Sequence, residues 1–185
     1  VKKISERKDQ NGNDLMYKDF KILPWCTRCG TALSSHELNQ PGAYQDVKDV
    51  TAYVKFKVKA KDNLYIVAWT TTPWTLPGNI ALAVGKDIKY VFMKKGEEVL
   101  IVSEEKKDIL GEGYELVNSM FGEQLIDLQY EPLYPFMSDL LPVDQKSKLD
   151  NAFQVYAADF VTTTDGTGIV HIAPAFGSDD YELSL

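Results

Sequence analysis

Short hydroxyl side chains are concentrated in the stretch AWTTTPWTLPGN, residues 68–79, which follows an apolar run typical of a buried strand. In a strand that ends near Thr72, Thr70 and Thr72 face one side and Thr71 faces the other. Pro73 favours an extended Thr72 and prevents further strand pairing, so the Thr72 hydroxyl and backbone are free for a ligand. The alternative is that threonine serves here only as a good strand former, and this stretch alone leaves both interpretations open.

A second stretch, DGTGIVHIAPAFGSDDY at residues 165–181, combines a turn, a strand histidine and two acids. A lone strand histidine such as His171 is more often a satisfied core residue than a catalyst. Asp179 and Asp180 follow a capping-type Ser178 at a predicted helix start, where acids usually interact with the helix dipole. The same dipole would keep Asp180 ionised and able to bind an ammonium group. No serine or cysteine nucleophile with a paired base is evident, so covalent catalysis is not expected.

The two cysteines, Cys26 and Cys29, form a CxxC, which is half of a tetrahedral zinc site. His36 is a potential third ligand, but the sequence has no second CxxC. We therefore expect no metal in the isolated domain, with Cys26 and Cys29 as one half of a split zinc site whose other ligands would lie beyond Leu185. Two cysteines do not make a disulfide framework, which favours a cytoplasmic location.

Composition narrows the function classes. The chain has 185 residues, of which 44% are hydrophobic and 25% charged, as is ordinary for a globular protein. The net charge of -7 argues against a general nucleic-acid binder but leaves a small local contact to nucleic acid open. No apolar run approaches the ~18 residues of a membrane helix, and the first residues do not resemble a signal peptide. A membrane partner is therefore not expected.

The order of predicted elements favours a β-rich α+β fold with a barrel-like core and small flanking helices. Residues 1–50 are expected to form a loop-rich arm that carries the CxxC half-site, and residues 51–185 a separate domain. Because the chain stops one turn into the helix predicted at Ser178, we expect an excised domain. A loop is predicted at 140–151. Strands are predicted at 53–58, 65–69, 80–84, 90–93, 99–102, 125–130, 153–157 and 167–172, and a short helix at 104–110.

Taken together, these stretches resemble the editing domain of isoleucyl-tRNA synthetases, a large insertion in the Rossmann catalytic domain of these class I enzymes. The resemblance covers essentially the whole chain. In the valyl and leucyl families an arginine stands between the threonines and the proline, where this chain has Thr72, which favours the isoleucyl member. The CxxC stretch looks bacterial in type. The residues that carry the resemblance, in the family's order, are WCTRCGTALSSHE at 25–37, AWTTTPWTLPGN at 68–79, ADFVT at 158–162 and DGTGIVHIAPAFGSDDY at 165–181.

The resemblance implies the barrel-like editing fold shared by the valyl, isoleucyl and leucyl enzymes, joined to the catalytic core by residues 1–50. It also implies hydrolysis of mischarged valyl-tRNA(Ile), and of valyl-adenylate as a second substrate, by a positioned water. The physical need is clear, because one methylene in an apolar pocket is worth only about 1–3 kcal/mol, a limit that isoleucyl-tRNA synthetases themselves exemplify. A second pocket must therefore accept valine and exclude isoleucine.

The resemblance assigns roles to individual residues. Thr70, Thr71 and Thr72 match threonines that line the substrate and help to place the water. Asp180 matches the aspartate that holds the aminoacyl ammonium group, and His171 matches the histidine that walls the side-chain pocket. The other substrate-binding matches are Trp69, Thr75 and Asn79.

The implied partners are the 3′ CCA end of tRNA(Ile) carrying valine, valyl-adenylate and the rest of the synthetase chain. No cofactor is expected for editing in the isolated domain, and zinc and ATP are expected only for the full-length synthetase. One alternative is a non-catalytic RNA- or protein-binding β-module, which would need a complete metal site and a basic patch. Another is a deacylase of the valyl or leucyl type, which Thr-Arg-Pro in place of Thr-Thr-Pro would favour.

Overall fold

The computed structural model of the chain describes residues 2–59 and 61–185. The chain divides into two units, Val1–Ala43 and Tyr44–Leu185. The functional division into an arm at 1–50 and an editing domain at 51–185 stays a prediction. None of the helices in the described residues is long and apolar enough to cross a membrane.

The first unit contains short elements only. Its elements are helix α1 (Lys2–Ser5), strands β1 (Trp25–Cys26) and β2 (Thr31–Ala32), and helix α2 (Ser35–Leu38). Strands β1 and β2 form an antiparallel hairpin around the CxxC. Helix α2 begins at a capping box, because the Glu37 N–H donates to Ser34 Oγ and the Ser34 N–H donates to the Glu37 carboxylate.

The second unit contains eight strands and two α-helices among its described residues. The strands are β3 (Ala52–Lys57), β4 (Leu64–Thr70), β5 (Ala81–Val84), β6 (Lys89–Lys95), β7 (Glu98–Ser103), β8 (Glu115–Phe121), β9 (Gln154–Ala157) and β10 (Ile169–Ile172). The α-helices are α3 (Phe136–Leu140) and α4 (Ser178–Leu183). Four 3-10 helices span Pro73–Gly78, Glu104–Leu110, Gly122–Leu125 and Val143–Leu149.

The strands of the second unit form a five-stranded sheet, β3-β4-β7-β6-β8, and a three-stranded sheet, β10-β5-β9. All pairs are antiparallel except β4 with β7 and β5 with β9. Isolated bridges join Val58, just after β3, to Tyr130, and Gln129 to Gln154 in β9. These bridges connect the edges of the two sheets through one short segment. The β-rich α+β fold predicted from the sequence is confirmed.

The main core lies where the two sheets face each other. Strand β4, with the sequence LYIVAWT, is almost wholly buried because it lies inside the larger sheet and packs toward β10. The Tyr130 ring lies edge-on between Phe56 and Phe153, at centroid distances of 5.2 and 6.2 Å. Other fully buried members of this core are Ile66, Leu82, Ile101 and Ile169.

Three local predictions differ from the structure. The strand predicted at 125–130 is wrong, because a 3-10 helix ends at Leu125 and only isolated bridges follow at Gln129 and Tyr130. The loop predicted at 140–151 contains the 3-10 helix Val143–Leu149. Ser178 is not the N-cap of α4, because Gly177 occupies that position without a side-chain cap.

Candidate active site

The threonine run lies where β4 ends and a 3-10 helix begins. Strand β4 ends at Thr70, and the helix follows from Pro73. The Thr72 N–H donates to Thr70 Oγ1 over 3.1 Å, and Thr75 Oγ1 donates to the Thr72 carbonyl over 2.8 Å. The Thr72 hydroxyl therefore lies between those of Thr70 and Thr75, at 3.4 and 3.5 Å. Thr70 and Thr75 are buried while Thr71 and Thr72 are exposed, so the hydroxyl row runs from the interior to the surface.

His171 meets this row from β10, where it pairs with Leu82 of β5. Its Nε2 lies 2.9 Å from Thr75 Oγ1, and its Nδ1 lies 3.5 Å from Asn79 Nδ2. When the Thr75 hydroxyl hydrogen is assigned to the Thr72 carbonyl at 2.8 Å, the ring donates from Nε2 to Thr75 Oγ1, and its Nδ1 lone pair faces the Asn79 amide.

The charge state of His171 follows from its surroundings. The residue is only 8% exposed. Burial lowers the pKa of His171 below its usual range, and the negative charge of Asp180 opposes that shift only in part. The ring is therefore neutral near pH 7, with one nitrogen donating and the other facing a donor.

Asn79 is held from two sides. Its Nδ2 donates to the Ala81 carbonyl over 2.9 Å, and its Oδ1 accepts from the Tyr130 hydroxyl over 2.7 Å.

Tyr130 is absent from the residues predicted for the site, because it lies in the segment predicted as an ordinary strand. A tyrosine at the end of a predicted strand is typical of core packing and gives no sign of a partner 51 residues away.

Asp180 projects from the first turn of α4 toward the end of β10. The Ala173 N–H donates to Asp180 Oδ1 over 2.6 Å, which fixes the carboxylate two residues beyond His171 in the chain. A side chain on Gly177 would place its Cβ 2.3 Å from Asp180 Oδ2, so it would displace the carboxylate from this position. Asp180 is partly buried, whereas its neighbour Asp179 is exposed.

The two predicted site stretches pack against each other at two glycines. The ring of Trp69 lies on Gly166, where an added Cβ would come 2.7 Å from Trp69 Cε3. The ring of Phe176 lies on Gly78, where an added Cβ would come 2.8 Å from Phe176 Cε2. These contacts hold the loop before β10 and the loop after it against the strand end of β4.

The structure thus brings most of the predicted residues into one place. A continuous set of polar contacts joins Thr70, Thr72, Thr75, His171 and Asn79. Among the described residues, the other predicted members form no side-chain hydrogen bond with this network. Trp69 lies against the loop before β10, Thr71 is exposed, and Asp180 accepts from the backbone after β10.

The CxxC lies in the first unit, at the β1–β2 hairpin. The Cys29 N–H donates to Cys26 Sγ over 3.3 Å, and this hydrogen bond lowers the pKa of Cys26, whereas the neighbouring Cys26 thiol raises the pKa of Cys29. Two sulfurs on one tight turn fit one half of a tetrahedral zinc site. In residues 2–59 and 61–185, no group of three or more His, Cys, Asp or Glu side chains is placed to hold a metal ion.

No family model matches the chain. The isoleucine–tRNA ligase of Clostridium tetani is 53% identical over 168 residues, which are 90% of this chain. The chain is homologous to one segment of isoleucine–tRNA ligases. The isoleucine–tRNA ligase of Clostridium acetobutylicum is also 53% identical, over 92% of this chain, and that of Picrophilus torridus is 46% identical over 92%. The chain spans about 15% of the length of these curated ligases.

Solved structures identify the fold of this ligase segment. GlLeuRS-CP1, a leucyl-tRNA synthetase editing domain, matches with a TM-score of 0.57 and 20% identity, over 72% of this chain and 58% of that one. The editing domain of the P. knowlesi cytosolic leucyl-tRNA synthetase matches with a TM-score of 0.52 and 15% identity, over 71% and 60%. The resemblance to isoleucyl-tRNA synthetases and the editing-domain fold predicted from the sequence are both confirmed.

Proposed function

We propose that the chain is the editing domain of an isoleucine–tRNA ligase and that it hydrolyses the ester of mischarged valyl-tRNA(Ile). The observation that carries the proposal is the hydroxyl row of Thr70, Thr72 and Thr75, joined to a buried, neutral His171 at the end of β4. A strand end of this kind presents several short polar groups to a small ester without filling the space that the ester needs.

Hydrolysis at this site would rely on a positioned water. The two ring nitrogens of His171 are engaged with Thr75 and Asn79, so neither is directed at a water. The threonine hydroxyls and the free vicinal hydroxyl of the terminal ribose would instead orient the water toward the ester carbonyl. The domain would thus act through orientation and electrostatic stabilisation rather than through a general base.

The amino acid would be held at its ammonium group and tested at its side chain. Asp180 would bind the α-ammonium, since its carboxylate is fixed by the Ala173 N–H and retains its second oxygen. His171 would form the wall that admits valine and excludes the extra methylene of isoleucine. Trp69 and Thr71 would border the substrate, and Thr75 and Asn79 would hold the wall in place.

The partners follow from the same proposal. A net charge of -7 does not suit broad binding to a tRNA backbone, so only the single-stranded CCA end would enter this domain. The rest of the ligase would supply most of the affinity for tRNA(Ile), in the cytoplasm, and would carry the ATP and zinc sites. Valyl-adenylate, which has the same aminoacyl group, would be a second substrate.

The proposal is tested by deacylation of valyl-tRNA(Ile) and isoleucyl-tRNA(Ile) by the 185-residue chain. We expect hydrolysis of the valyl ester and little hydrolysis of the isoleucyl ester. Thr72→Val, which removes a hydroxyl at nearly constant size, should slow valyl hydrolysis about tenfold or more, while the exposed Thr162→Val should not. Equal hydrolysis of both esters would overturn the proposed specificity, and tRNA binding without any hydrolysis would support the non-catalytic module instead.

A further inference from the structure

Tyr130 is a fully buried polar residue next to the candidate site. Its side chain is 0% exposed, and its ring is fixed edge-on between Phe56 and Phe153. Its hydroxyl donates to Asn79 Oδ1 over 2.7 Å. Burial raises the pKa of Tyr130 far above its usual range, so the hydroxyl keeps its proton and remains a donor.

This donor is one of two groups that orient the Asn79 amide. With Oδ1 toward Tyr130, Nδ2 faces the Ala81 carbonyl at 2.9 Å and His171 Nδ1 at 3.5 Å. A flipped amide would place Oδ1 against the Ala81 carbonyl, so that two acceptors would face each other in a buried place. The tyrosine hydroxyl and the carbonyl therefore select the same orientation.

The amide in turn determines where His171 carries its proton. A proton on Nδ1 would place an N–H against the Asn79 N–H and would leave Nε2 facing a Thr75 hydroxyl whose hydrogen is directed elsewhere. A proton on Nε2 satisfies both ends. Every donor in the series Tyr130, Asn79, His171, Thr75 then faces an acceptor.

We propose that Tyr130 is a positioning residue that holds His171 in its neutral Nε2–H form through the Asn79 amide, and thereby fixes the wall of the amino-acid pocket. The effect of Tyr130 on substrate specificity rests on the proposed function, whereas its effect on where the His171 ring carries its proton does not. Tyr130 would act only through Asn79, since among the described residues the Tyr130 hydroxyl bonds to Asn79 and Asn79 faces the His171 ring.

The test is Tyr130→Phe, which removes one buried oxygen, with the histidines labelled with ¹⁵N and observed by NMR. The chain has two histidines, so His36 serves as an internal reference in the first unit. In the unaltered chain, His171 should show Nε2–H alone. In Tyr130→Phe, the Nδ1–H form should rise at least about tenfold relative to Nε2–H, because the amide loses one of the two partners that orient it and keeps only the Ala81 carbonyl.

Tyr90→Phe is the matched control. Tyr90 is also 0% exposed, and its hydroxyl donates to the Gly168 carbonyl over 2.6 Å without reaching Asn79. This variant should leave the His171 signals unchanged. An unchanged ring in Tyr130→Phe, or the same change in Tyr90→Phe, would overturn the proposal. If Tyr130→Phe does not fold, the unaltered chain decides, since a ring that carries its proton on Nδ1 contradicts the series and one that carries it on Nε2 supports it.

Deacylation separates this inference from the proposed function. Tyr130→Phe should raise the ratio of isoleucyl to valyl hydrolysis several-fold with little change in KM for valyl-tRNA(Ile), and Tyr90→Phe should not. A ratio that stays fixed although the proton moves would refute the role in specificity. If the proton moves in Tyr130→Phe but the unaltered chain cleaves neither ester, the proposed function fails and the positioning of His171 stands.

Discussion

Thr75 links the segment that follows β4 to His171 through two hydrogen bonds of its hydroxyl. Its hydroxyl donates to the Thr72 carbonyl and accepts from the His171 ring. A buried hydroxyl or amide left without a partner costs about 1–3 kcal/mol. Because Thr75, Asn79 and His171 each have partners, their orientations are fixed by hydrogen bonds as well as by packing.

His171→Ala should relax the specificity of the site. The substitution removes a buried ring beside the hydroxyl row but leaves the threonines, so the proposed pocket would become deeper while the groups proposed to place the water would remain. We expect measurable hydrolysis of isoleucyl-tRNA(Ile) and retention of some valyl hydrolysis, compared under single-turnover conditions. The discrimination lost should be about tenfold or more, since one methylene is worth about 1–3 kcal/mol and a rigid wall adds to this. A parallel loss of both activities would indicate a general base and would exclude the wall.

Asp180→Asn should remove most of the hydrolysis. The amide keeps an oxygen for the Ala173 N–H and loses the charge, so the fold should be retained while the proposed contact to the ammonium group would be weakened. Hydrogen bonds to charged groups contribute about 1.5–3 kcal/mol, so the rate should fall at least about tenfold. Asp179→Asn removes a charge one residue earlier, at an exposed position, and should have a milder effect. Near-normal rates in Asp180→Asn would contradict the assignment.

The two kinds of site residue differ in how far the sequence could reveal them. The threonines and His171 stand out because hydroxyls at a strand end and a strand histidine occur inside distinctive stretches. The order of bonds among Thr75, His171 and Asn79 was not predictable, because it depends on which side chains β10 brings to β4. Tyr130 was missed for the same reason, since its partner Asn79 lies 51 residues away and the contact is made only in the folded core.

At the scale of elements, the site depends on how two loops are held against the end of β4. The Trp69 ring covers Gly166 and the Phe176 ring covers Gly78, so each loop approaches where a side chain is missing. Close packing of this kind transmits small displacements, because protein interiors do not relax freely. The position of His171 is therefore expected to depend on Gly166 and Gly78, which contribute no side chain to the candidate site.

Gly166→Ala should destabilise the second unit and impair editing. The new Cβ would come 2.7 Å from Trp69 Cε3. The alanine would also have to keep the backbone φ of 71° that Gly166 has. Gly96→Ala is the control, because Gly96 has a φ of 63° and no atom within 4 Å of the added Cβ. Denaturant unfolding should show a loss of about 1 kcal/mol for Gly96→Ala from backbone strain, and about 1–3 kcal/mol more for Gly166→Ala from overpacking. Equal losses would mean that the Trp69 contact adjusts without cost.

The strands that the sequence predicted are those with buried, apolar runs. Strands β4, β5, β6 and β7 contain such runs, and each lies where an apolar run was predicted to be a strand. Strand β8 was missed because six of its seven residues are exposed at the sheet edge, so its sequence shows no burial pattern. The segment at 125–130 was wrongly predicted as a strand. Its buried residues do pack in the core, but Leu125 lies in a 3-10 helix and Tyr130 in an isolated bridge.

For the whole molecule, the two units carry different chemistry. The second unit contains the candidate editing site, and the first contains the only two cysteines of the chain. The chain spans about 15% of the length of the curated ligases, so a ligand set begun in the first unit can be completed by other parts of a longer chain. The CxxC is therefore expected to depend on the rest of the ligase more than the editing site does.

The CxxC leads to a prediction about zinc. Cys26 and Cys29 supply two thiolates, whereas a structural zinc ion takes four protein ligands. The 185-residue chain, purified without added metal, should therefore contain far less than one zinc ion per molecule by elemental analysis. The variant with Cys26→Ser and Cys29→Ser should contain no less zinc and should unfold at the same denaturant concentration. One zinc ion per molecule, lost in that variant, would show that this chain completes the site itself.

Measuring the zinc content of a whole isoleucine–tRNA ligase distinguishes two possibilities for Cys26 and Cys29. They are either half of a split zinc site or two thiols that bind no metal. Zinc should rise to one ion per site when the other two ligands are present, because ligand number sets affinity, and it should fall again when both cysteines are replaced. In that case the ion would join the first unit to a distant segment rather than fold it, and removing zinc should loosen the arm while valyl hydrolysis by the second unit continues. Loss of hydrolysis in step with loss of zinc would contradict the separation of the two functions between the units.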